Sequence, residues 1–498
     1  MVDVVVVGGG SAGCVAAATF ARAGASVMII EAGPAFPPSA ATDSWPPDLV
    51  DARRMPIGPG SPYVDPIPAG TVRARQFVGT RGRVLGGSGA VNGGYFVRAP
   101  LSDFDTWPQH LWDRESVAHY YNRIETDHDF GGLDHHGSTG PVPVTRAITA
   151  PVAQVFLQAG MASGHRHVDD LNAPTACDGI GAVPSNVHHG RRISMAEAYL
   201  SPLADRITVR GHSRVARLLL DDNRAVGVTG RDDDGTFVVH ADQVVLAAGA
   251  IRTPNLLLHS GIGDAETLRR VGIPIAQHLP GVGVGLADHP EITIDYWPNT
   301  AFDGAERGTP LQVVLHAGPI EIRPYTSSFD RLIPGLSPMS PAIGVAHMTP
   351  DARGIITVTT DDPFSTPRVE HRYAESAADR TAMRTGIRLA EDLLMESALS
   401  SEIAVNSWRD ASRWSTPLGG SLHTMCSARM GADDDPLAVV DPIGRVRGVH
   451  GLSIVDAAMF PAPVSRGPHA TVVMAAQRIS DLQVSTLDGV QELSKPVE

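Results

Sequence analysis

Three glycines and an acid near the start of the chain have the types and spacing of a dinucleotide site. Gly8, Gly10 and Gly13 fit G-x-G-x-x-G, and Glu31 lies 18 residues beyond Gly13. In such a unit Gly8 permits the tight turn, Gly10 lets the backbone approach a pyrophosphate, and Gly13 lets a helix lie close on its strand. Free N–H groups and the dipole at the helix start favour a phosphate. A carboxylate at the end of the next strand accepts the ribose hydroxyls of an adenosine, and an acid at 31 argues against NADP, whose extra phosphate calls for an arginine. Glycines alone also mark plain structural turns, so the elements that position them matter. Val4 to Val7 read as a buried strand. Val15 to Ala21 continue as a helix that stops at Gly24, and Val27-Met28-Ile29-Ile30 form a second buried strand that delivers Glu31. Strand, helix, strand and acid in that order predict an adenine dinucleotide.

The whole chain bounds what else it does. Its 498 residues supply material for about two to four domains. A net charge of −14 with no basic run argues against nucleic-acid binding. Cys14, Cys177 and Cys426 share no metal-ligand spacing, and an odd number does not suggest a disulfide framework; no metal site is expected. The first strand begins at residue 3, so no signal or transit peptide is expected, and no apolar run reaches the ~18 residues of a spanning helix. The expected location is the cytoplasm, with peripheral contact at a membrane left open. Lys495 is the single lysine, which reflects genomic base composition more simply than function.

Residues 34 to 70 carry prolines at 34, 37, 38, 46, 47, 56, 59, 62, 66 and 68, which predicts an extended surface loop. A lid, a cofactor clamp or a plain connector all fit such a loop. Next, Gly82 to Ala99 crowd glycines around Asn92, which suits backbone that packs on a flat ligand and offers N–H groups to it. Ile207 to Val209, Val215 to Leu220 and the stretch through the Asp234-Gly235 turn predict a strand meander. Val244 to Gly249 read as a buried strand, and Thr253-Pro254 as the N-cap and first turn of a helix. Between 291 and 420, short half-alternating runs at 311–315, 320–323, 342–346, 355–359 and 368–371 predict an antiparallel sheet. A helix from about 377 to 394 covers it, with Met383, Ile387, Ala390 and Leu394 on one stripe.

These segments carry a family resemblance. Gly82 to Asp105 looks like the first signature of the glucose-methanol-choline (GMC) oxidoreductases, which are FAD-dependent, and Gly249 to Gly263 resembles the second. Leu452 to Ala458 looks like the family's cofactor-binding V-D-A-S, with Ala458 replacing the serine, and Arg192, Ser194 and Ala198-Tyr199-Leu200 also fit the family pattern. The likeness runs from residue 3 to about 482 and is weakest at 291–420, where the family has its substrate-binding sheet. It implies an α/β fold, α+β overall. A Rossmann-like FAD-binding domain with a parallel sheet is discontinuous over 1–148, 190–290 and 421–498. An antiparallel-sheet substrate-binding domain, covered by helices, takes 149–189 and 291–420. Val91 stands where some members carry a histidine bonded to the flavin, which implies non-covalent FAD. The residues implied on the cofactor are Gly8, Gly10, Ser11, Ala12, Gly13, Glu31 and Ala32 from the first unit. Arg83, Val84, Gly86, Gly87, Asn92, Gly93, Gly94 and Tyr95 follow from the glycine-rich stretch. Val215, Ala248, Asp456, Ala457, Ala470 and Thr471 complete them.

The resemblance also places the chemistry. His423 to Gly431 resembles the family's H-x-x-G-T-x-x-M-G, with Cys426-Ser427 in place of Gly-Thr. His423 and His469, 46 residues apart, match the family's catalytic pair, whose second member is histidine or asparagine. This implies His423 as base and His469 as its partner in oxidising a CH–OH group by hydride transfer to flavin N5. An imidazole with a pKa near ~6.5 suits withdrawal of the hydroxyl proton at neutral pH, and a second donor stabilises developing alkoxide charge. The run Gly93 to Ala99, the compact length and the lysine-poor composition are similar to the family's mycofactocin-associated branch. That likeness implies mycofactocinol, the reduced form of a peptide-derived redox cofactor, as the alcohol substrate, with electrons passed towards respiration. An alcohol oxidase using O2 on a small alcohol and a non-redox lyase on the same fold share these motifs. The electron acceptor, whether respiratory carrier, quinone or O2, is left open. An NAD-dependent dehydrogenase shares the first motif but has no need of the segments at 82–99 and 456–471.

Overall fold

Consecutive valines in β1 (Val2–Val7) are buried because the strand lies inside a seven-stranded sheet, covered on both faces. The computed structural model describes residues 1–36, 45–70, 76–176, 178–297, 308–396 and 418–493. Pro37, Pro38, Cys177 and the parts of the expected substrate region at 298–307 and 397–417 lie outside the described residues. After β1 the chain runs through helix α1 (Ser11–Arg22) into β2 (Val27–Ile30), which returns parallel to β1. Strand β3 (Ile207–Arg210) extends the parallel set beyond β2. On the other side of β1 lie β4 (Gly235–Leu246) and then β5 (Leu452–Ile454), also parallel. Three separated parts of the sequence thus build one parallel core. The meander expectation held for Arg214–Asp221, Arg224–Asp232 and β4, which pair antiparallel. It failed for β3, whose apolar side chains complete the parallel edge instead.

Helix α2 (Gly249–His259) follows β4, and helix α3 (His469–Leu493) follows β5 and packs on α1. The alanines and glycine of α1 are buried nearly all round, which a helix sandwiched between a sheet and a second helix requires.

The half-alternating runs divide between two sheets, where the sequence predicted one. Gly419–Gly420, Pro290–Asp295, Ala342–His347, Ile320–Pro324, Val313–Ala317 and Gly179–Ala182 form a six-stranded antiparallel sheet in that order. Helices Pro151–Ala162 and Ala377–Met395 cover one face, with the expected stripe of Met383, Ile387, Ala390 and Leu394 buried against Ile292, Ile294, Ile320 and Ile322. Side chains alternate across a strand, so the residues between those isoleucines, Glu291, Thr293, Glu321 and Arg323, point to the opposite face. Glu291, Thr293 and Arg323 of that face line a cleft against the parallel sheet. Gly354–Thr357 and Arg368–Glu370 instead join Val284–Leu286, Val64–Gly70 and Gln76–Gly82 in a five-stranded sheet.

This second division corrects the expectation for residues 34 to 70. Pro47–Val50 is a short helix and Val64–Gly70 a strand, despite Pro66 and Pro68. The two prolines occupy alternate positions, so their missing donors fall along one side of the strand, and the residues between them supply the ladder to Gln76–Gly82.

A buried charge cluster anchors the end of the glycine-rich segment. Arg98 donates to Glu125 (2.5 Å), His136 bonds Glu125 and Asp170 (2.9 and 2.8 Å), and Arg146 joins Asp127 and Asp170. Three carboxylates meet two guanidinium groups and one imidazolium, so the cluster is neutral when His136 is protonated. Burial alone would lower the pKa of His136, but the bonds from Asp127, Asp170 and Glu125 outweigh it and hold it at about 10. The folded state therefore keeps a proton that the unfolded chain releases above about 6.5. This stabilisation is fully present below that pH and disappears as pH rises through 10. Thermal melts at pH 7 to 10 should show a falling midpoint, and His136→Gln should flatten that slope.

Candidate active site

One continuous cleft of about 760 Å3 runs between the parallel sheet and the charged face of the antiparallel one. Its first wall is the glycine turn. Gly8 has φ +100°, and a Cβ there would stand 2.6 Å from the carbonyl oxygen of Ala247. At Gly13 a Cβ would lie 2.0 Å from the Gly8 oxygen, so only glycine lets α1 approach its strand. Gly10 differs: a Cβ would stand 3.8 Å from the Ala247 oxygen and 3.9 Å from Gly87 Cα, and the space beside it is the open cleft. The second glycine-rich stretch lies on the first, since a Cβ on Gly87 would be 2.6 Å from Gly10 Cα, and Gly86 N–H donates to the Gly9 carbonyl at 2.7 Å. No side chain caps the start of α1. Its first N–H groups thus meet a cradle of backbone that fits a pyrophosphate.

Glu31 sits where the adenosine ribose is expected. Its Oε2 accepts from Gly9 N–H (2.9 Å) and its Oε1 from Gly33 N–H (2.8 Å). Burial raises its pKa, opposed by those backbone donors and by Arg83. A carboxylate has about four acceptor positions, so capacity remains for ribose hydroxyls. Glu31→Ala should weaken FAD retention by roughly 1–3 kcal/mol, read as an increased FAD dissociation constant by flavin fluorescence.

Asp456 acts from the far side of β4. Its Oδ2 accepts from Gly249 N–H (2.8 Å) and the Thr253 hydroxyl (2.6 Å), and its Oδ1 from Ala458 N–H (2.8 Å). This satisfies the start of α2, which opens at Gly249, one turn ahead of the predicted Thr253 cap. Pro254 is consequently inside the helix and cannot bond the Ala250 carbonyl. The Ser427 hydroxyl donates to that carbonyl at 2.5 Å. Serine in place of the family's threonine keeps the donor that this helix needs. Its neighbour Cys426 has φ +67° and is buried. The family's glycine adopts that conformation freely, whereas a side chain there costs about 1–2 kcal/mol.

The two predicted histidines line the same cleft. His423 follows Leu422, a residue at φ +62°, and its backbone N–H donates to Asp288 Oδ1 at 2.7 Å. Its Nδ1 lies 2.9 Å from Nδ1 of His289. Burial, with contributions from His289 and Arg323, lowers its pKa well below the ordinary value. His469 opens α3, with Nε2 3.0 Å from the Ser11 hydroxyl and Nδ1 3.3 Å from the Asn92 amide. Burial lowers its pKa to about 4. Both rings are therefore neutral at physiological pH.

Of the other residues assigned from sequence, Gly8, Gly10, Ser11, Ala12, Glu31, Ala32, Arg83, Gly87, Asn92, Gly93, Tyr95, Val215, Ala248, Asp456 and Ala457 line the cleft. Gly13, Val84, Gly86, Gly94, Ala470 and Thr471 are outside that lining. Val84 and Ala470 are core residues, and Thr471 bonds the Tyr121 hydroxyl at 2.7 Å. Val91 is buried at the cleft wall and offers the flavin no nucleophile.

Sequence reasoning missed the residues that the antiparallel sheet adds. Glu291 accepts from Arg323 (2.5 Å), Tyr325 (2.9 Å) and Ser421 (2.7 Å), while Glu321 accepts from Arg323 and Tyr95, each at 2.8 Å. It also missed His289, although Asp288-His289 just ahead of the apolar-alternating Pro290–Asp295 is a polar pair in apolar surroundings.

Known proteins resemble the chain in sequence and fold. The two family models described as GMC oxidoreductase match residues 2–291 and 350–476. The chain is 41% identical to an uncharacterized GMC-type oxidoreductase of Rhodococcus erythropolis, over 96% of this chain and 97% of the relative. It is 29% identical to an oxygen-dependent choline dehydrogenase of Staphylococcus haemolyticus, covering 96% and 93%. Its fold superposes on pyridoxine 4-oxidase from Mesorbium loti with a TM-score of 0.87 at 24% identity, over 96% and 98% of the two chains. No helix among the described residues is long and apolar enough to cross a membrane. The chain belongs to the GMC oxidoreductase family, and it is an FAD-dependent oxidoreductase of CH–OH groups.

Proposed function

We propose that the substrate is a bulky, uncharged alcohol and that His423 takes its hydroxyl proton, with His469 assisting. The observation that carries this reading is the pairing of the acids in the cleft. Glu291 is held by Arg323, Tyr325 and Ser421, and Asp65 by Arg252. A quaternary ammonium such as choline is held by an unpaired carboxylate or an aromatic cage; Glu291 and Asp65 have arginine partners, and the Tyr95 and Tyr325 hydroxyls of this region are bonded to Glu321 and Glu291. Met55, Ile57, Leu311, Phe329 and Ile333 give the same region apolar walls. Mycofactocinol is the specific alcohol we assign, on the likeness to that branch of the family, with the reduced enzyme passing electrons towards the respiratory chain.

FAD, when bound, supplies the hydride acceptor. The chain supplies position and proton handling. His423, neutral and buried, is ready to receive the proton as the carbinol C–H bond weakens. Ser11 and Asn92 anchor the His469 ring, and the ring stands at the positive end of the α3 dipole, where developing alkoxide charge is stabilised.

Anaerobic titration of the purified holoenzyme tests this. Neutral alcohols, mycofactocinol foremost, should bleach the flavin spectrum, and choline should not. Bleaching by choline alone would overturn the charge argument, and substrate turnover without bleaching would favour the lyase reading. Comparing reoxidation by air with reoxidation by a quinone separates oxidase from dehydrogenase. Acid precipitation should release FAD into the supernatant; yellow colour left in the pellet would contradict non-covalent binding.

A further inference from the structure

The buried contact between two imidazoles constrains where each proton sits. His289 is fully buried, and its Nε2 is 2.9 Å from the Val464 carbonyl oxygen. A carbonyl only accepts, so Nε2 of His289 carries the proton. A neutral imidazole holds one ring proton, which leaves its Nδ1 as a lone-pair acceptor. Nδ1 of His289 faces Nδ1 of His423 at 2.9 Å. Two lone pairs would repel at that distance, so His423 must donate from Nδ1.

We infer that His289 is a positioning residue that fixes His423 in the tautomer protonated at Nδ1, which leaves the Nε2 lone pair to the cleft. This deepens the proposed alcohol oxidation and rests on His423 being its base. The neighbouring residue completes the support. Asp288 Oδ1 accepts the backbone N–H groups of both His289 (2.8 Å) and His423 (2.7 Å), and its Oδ2 accepts from the Tyr373 hydroxyl (2.6 Å). Backbone and ring of His423 are thus both set by one dipeptide ahead of strand Pro290–Asp295. Burial lowers the pKa of His289 to about 4, which keeps it in the neutral form the relay requires. The opposite tautomer would point an N–H at the substrate oxygen and leave no acceptor for its proton.

Nitrogen NMR of FAD-loaded protein labelled with 15N-histidine tests the assignment, with His423→Asn identifying the His423 signals. In the wild type, Nε2 of His423 should give the pyridine-type resonance and Nδ1 the pyrrole-type one. His289→Phe removes the acceptor, and the proton should move to Nε2 in a substantial fraction of molecules. His289→Asn keeps an acceptor near the former Nδ1 and should retain the wild-type pattern. A wild-type His423 protonated at Nε2 overturns the inference, as does a Phe variant with unchanged signals. Should the Phe variant fail to load FAD, the wild-type and Asn spectra decide: a pyrrole-type Nε2 in either counts against it. The predicted tautomer in a protein that no alcohol reduces would sink the alcohol reading and leave the relay standing. The reverse tautomer with alcohol oxidation intact would do the opposite.

Discussion

Replacing His423 with alanine should slow flavin reduction by about 10²–10⁴-fold, the range of general-base catalysis, while FAD content stays at the wild-type level. The residue lies on the cleft wall with its backbone fixed by Asp288, and it makes no contact that holds the dinucleotide glycines. Removing it deletes the proton acceptor and leaves the cradle untouched. Stopped-flow reduction with the fastest-reacting alcohol should show the loss, partly relieved at high pH, where alkoxide forms without a base. The wild-type profile carries a second signature. Protonation of His423 disables it, and its pKa lies below the ordinary value, so the acid limb of the reduction rate should fall below about 6.5. That limb should vanish in His423→Ala. His469→Asn should be milder, because His423 remains to take the proton and the ring nitrogens of His469 are engaged by Ser11 and Asn92. An alanine variant that reduces flavin as fast as the parent would remove the assigned base.

Arg192→Met should be the most destabilising single change considered. Arg192 is 1% exposed, and its guanidinium donates to the backbone carbonyls of Leu49, Arg54 and Asn92, with Asp48 further out at 3.3 Å. It stitches the Pro47–Val50 turn to the glycine-rich stretch that carries Asn92. A methionine fills much of the volume but bonds none of those carbonyls. Each buried acceptor left unmet costs about 1–3 kcal/mol, so a loss on the order of 4 kcal/mol is expected after partial relaxation. Denaturant midpoints and the FAD-to-protein ratio should both fall. Arg192→Lys should rescue little, since a point charge cannot replace a planar fork aimed at several oxygens. A Met variant with the parent's midpoint and FAD content would refute this.

What the sequence disclosed follows the range over which each feature is encoded. The turn at Gly8 to Gly13 and the acid at Glu31 are local: strand, helix and strand follow one another within 31 residues, so periodicity suffices to find them. Helix Ala377–Met395 was equally plain, because one amphipathic stripe fixes its buried face. The partition of the short strands was not, since an alternating run states that it has two faces but not which sheet it joins. Pro66 and Pro68 read as loop formers because only the neighbouring strand reveals that their missing donors are unneeded. His289 lies 134 residues from His423, and no motif spanning one segment links them. Pairings of that kind are set by the packing of three sheets around one cleft.

The layout of the parallel sheet also dictates when the enzyme can come into being during synthesis. β1 emerges from the ribosome first, but β5, which docks on β4, and the histidine that opens α3 are encoded more than 440 residues later. At about 5–20 residues per second, a nascent chain spends roughly 20–90 s with the glycine turn made and its cleft unfinished. The lining of the cleft is therefore complete only after residue 469 has left the exit tunnel. Until then the edge of β4 at Val244–Leu246, on which β5 docks, is uncovered. A chain that stops before residue 469 would carry the glycine turn, Glu31 and the Gly82–Ala99 stretch but lack His469 on the cleft wall.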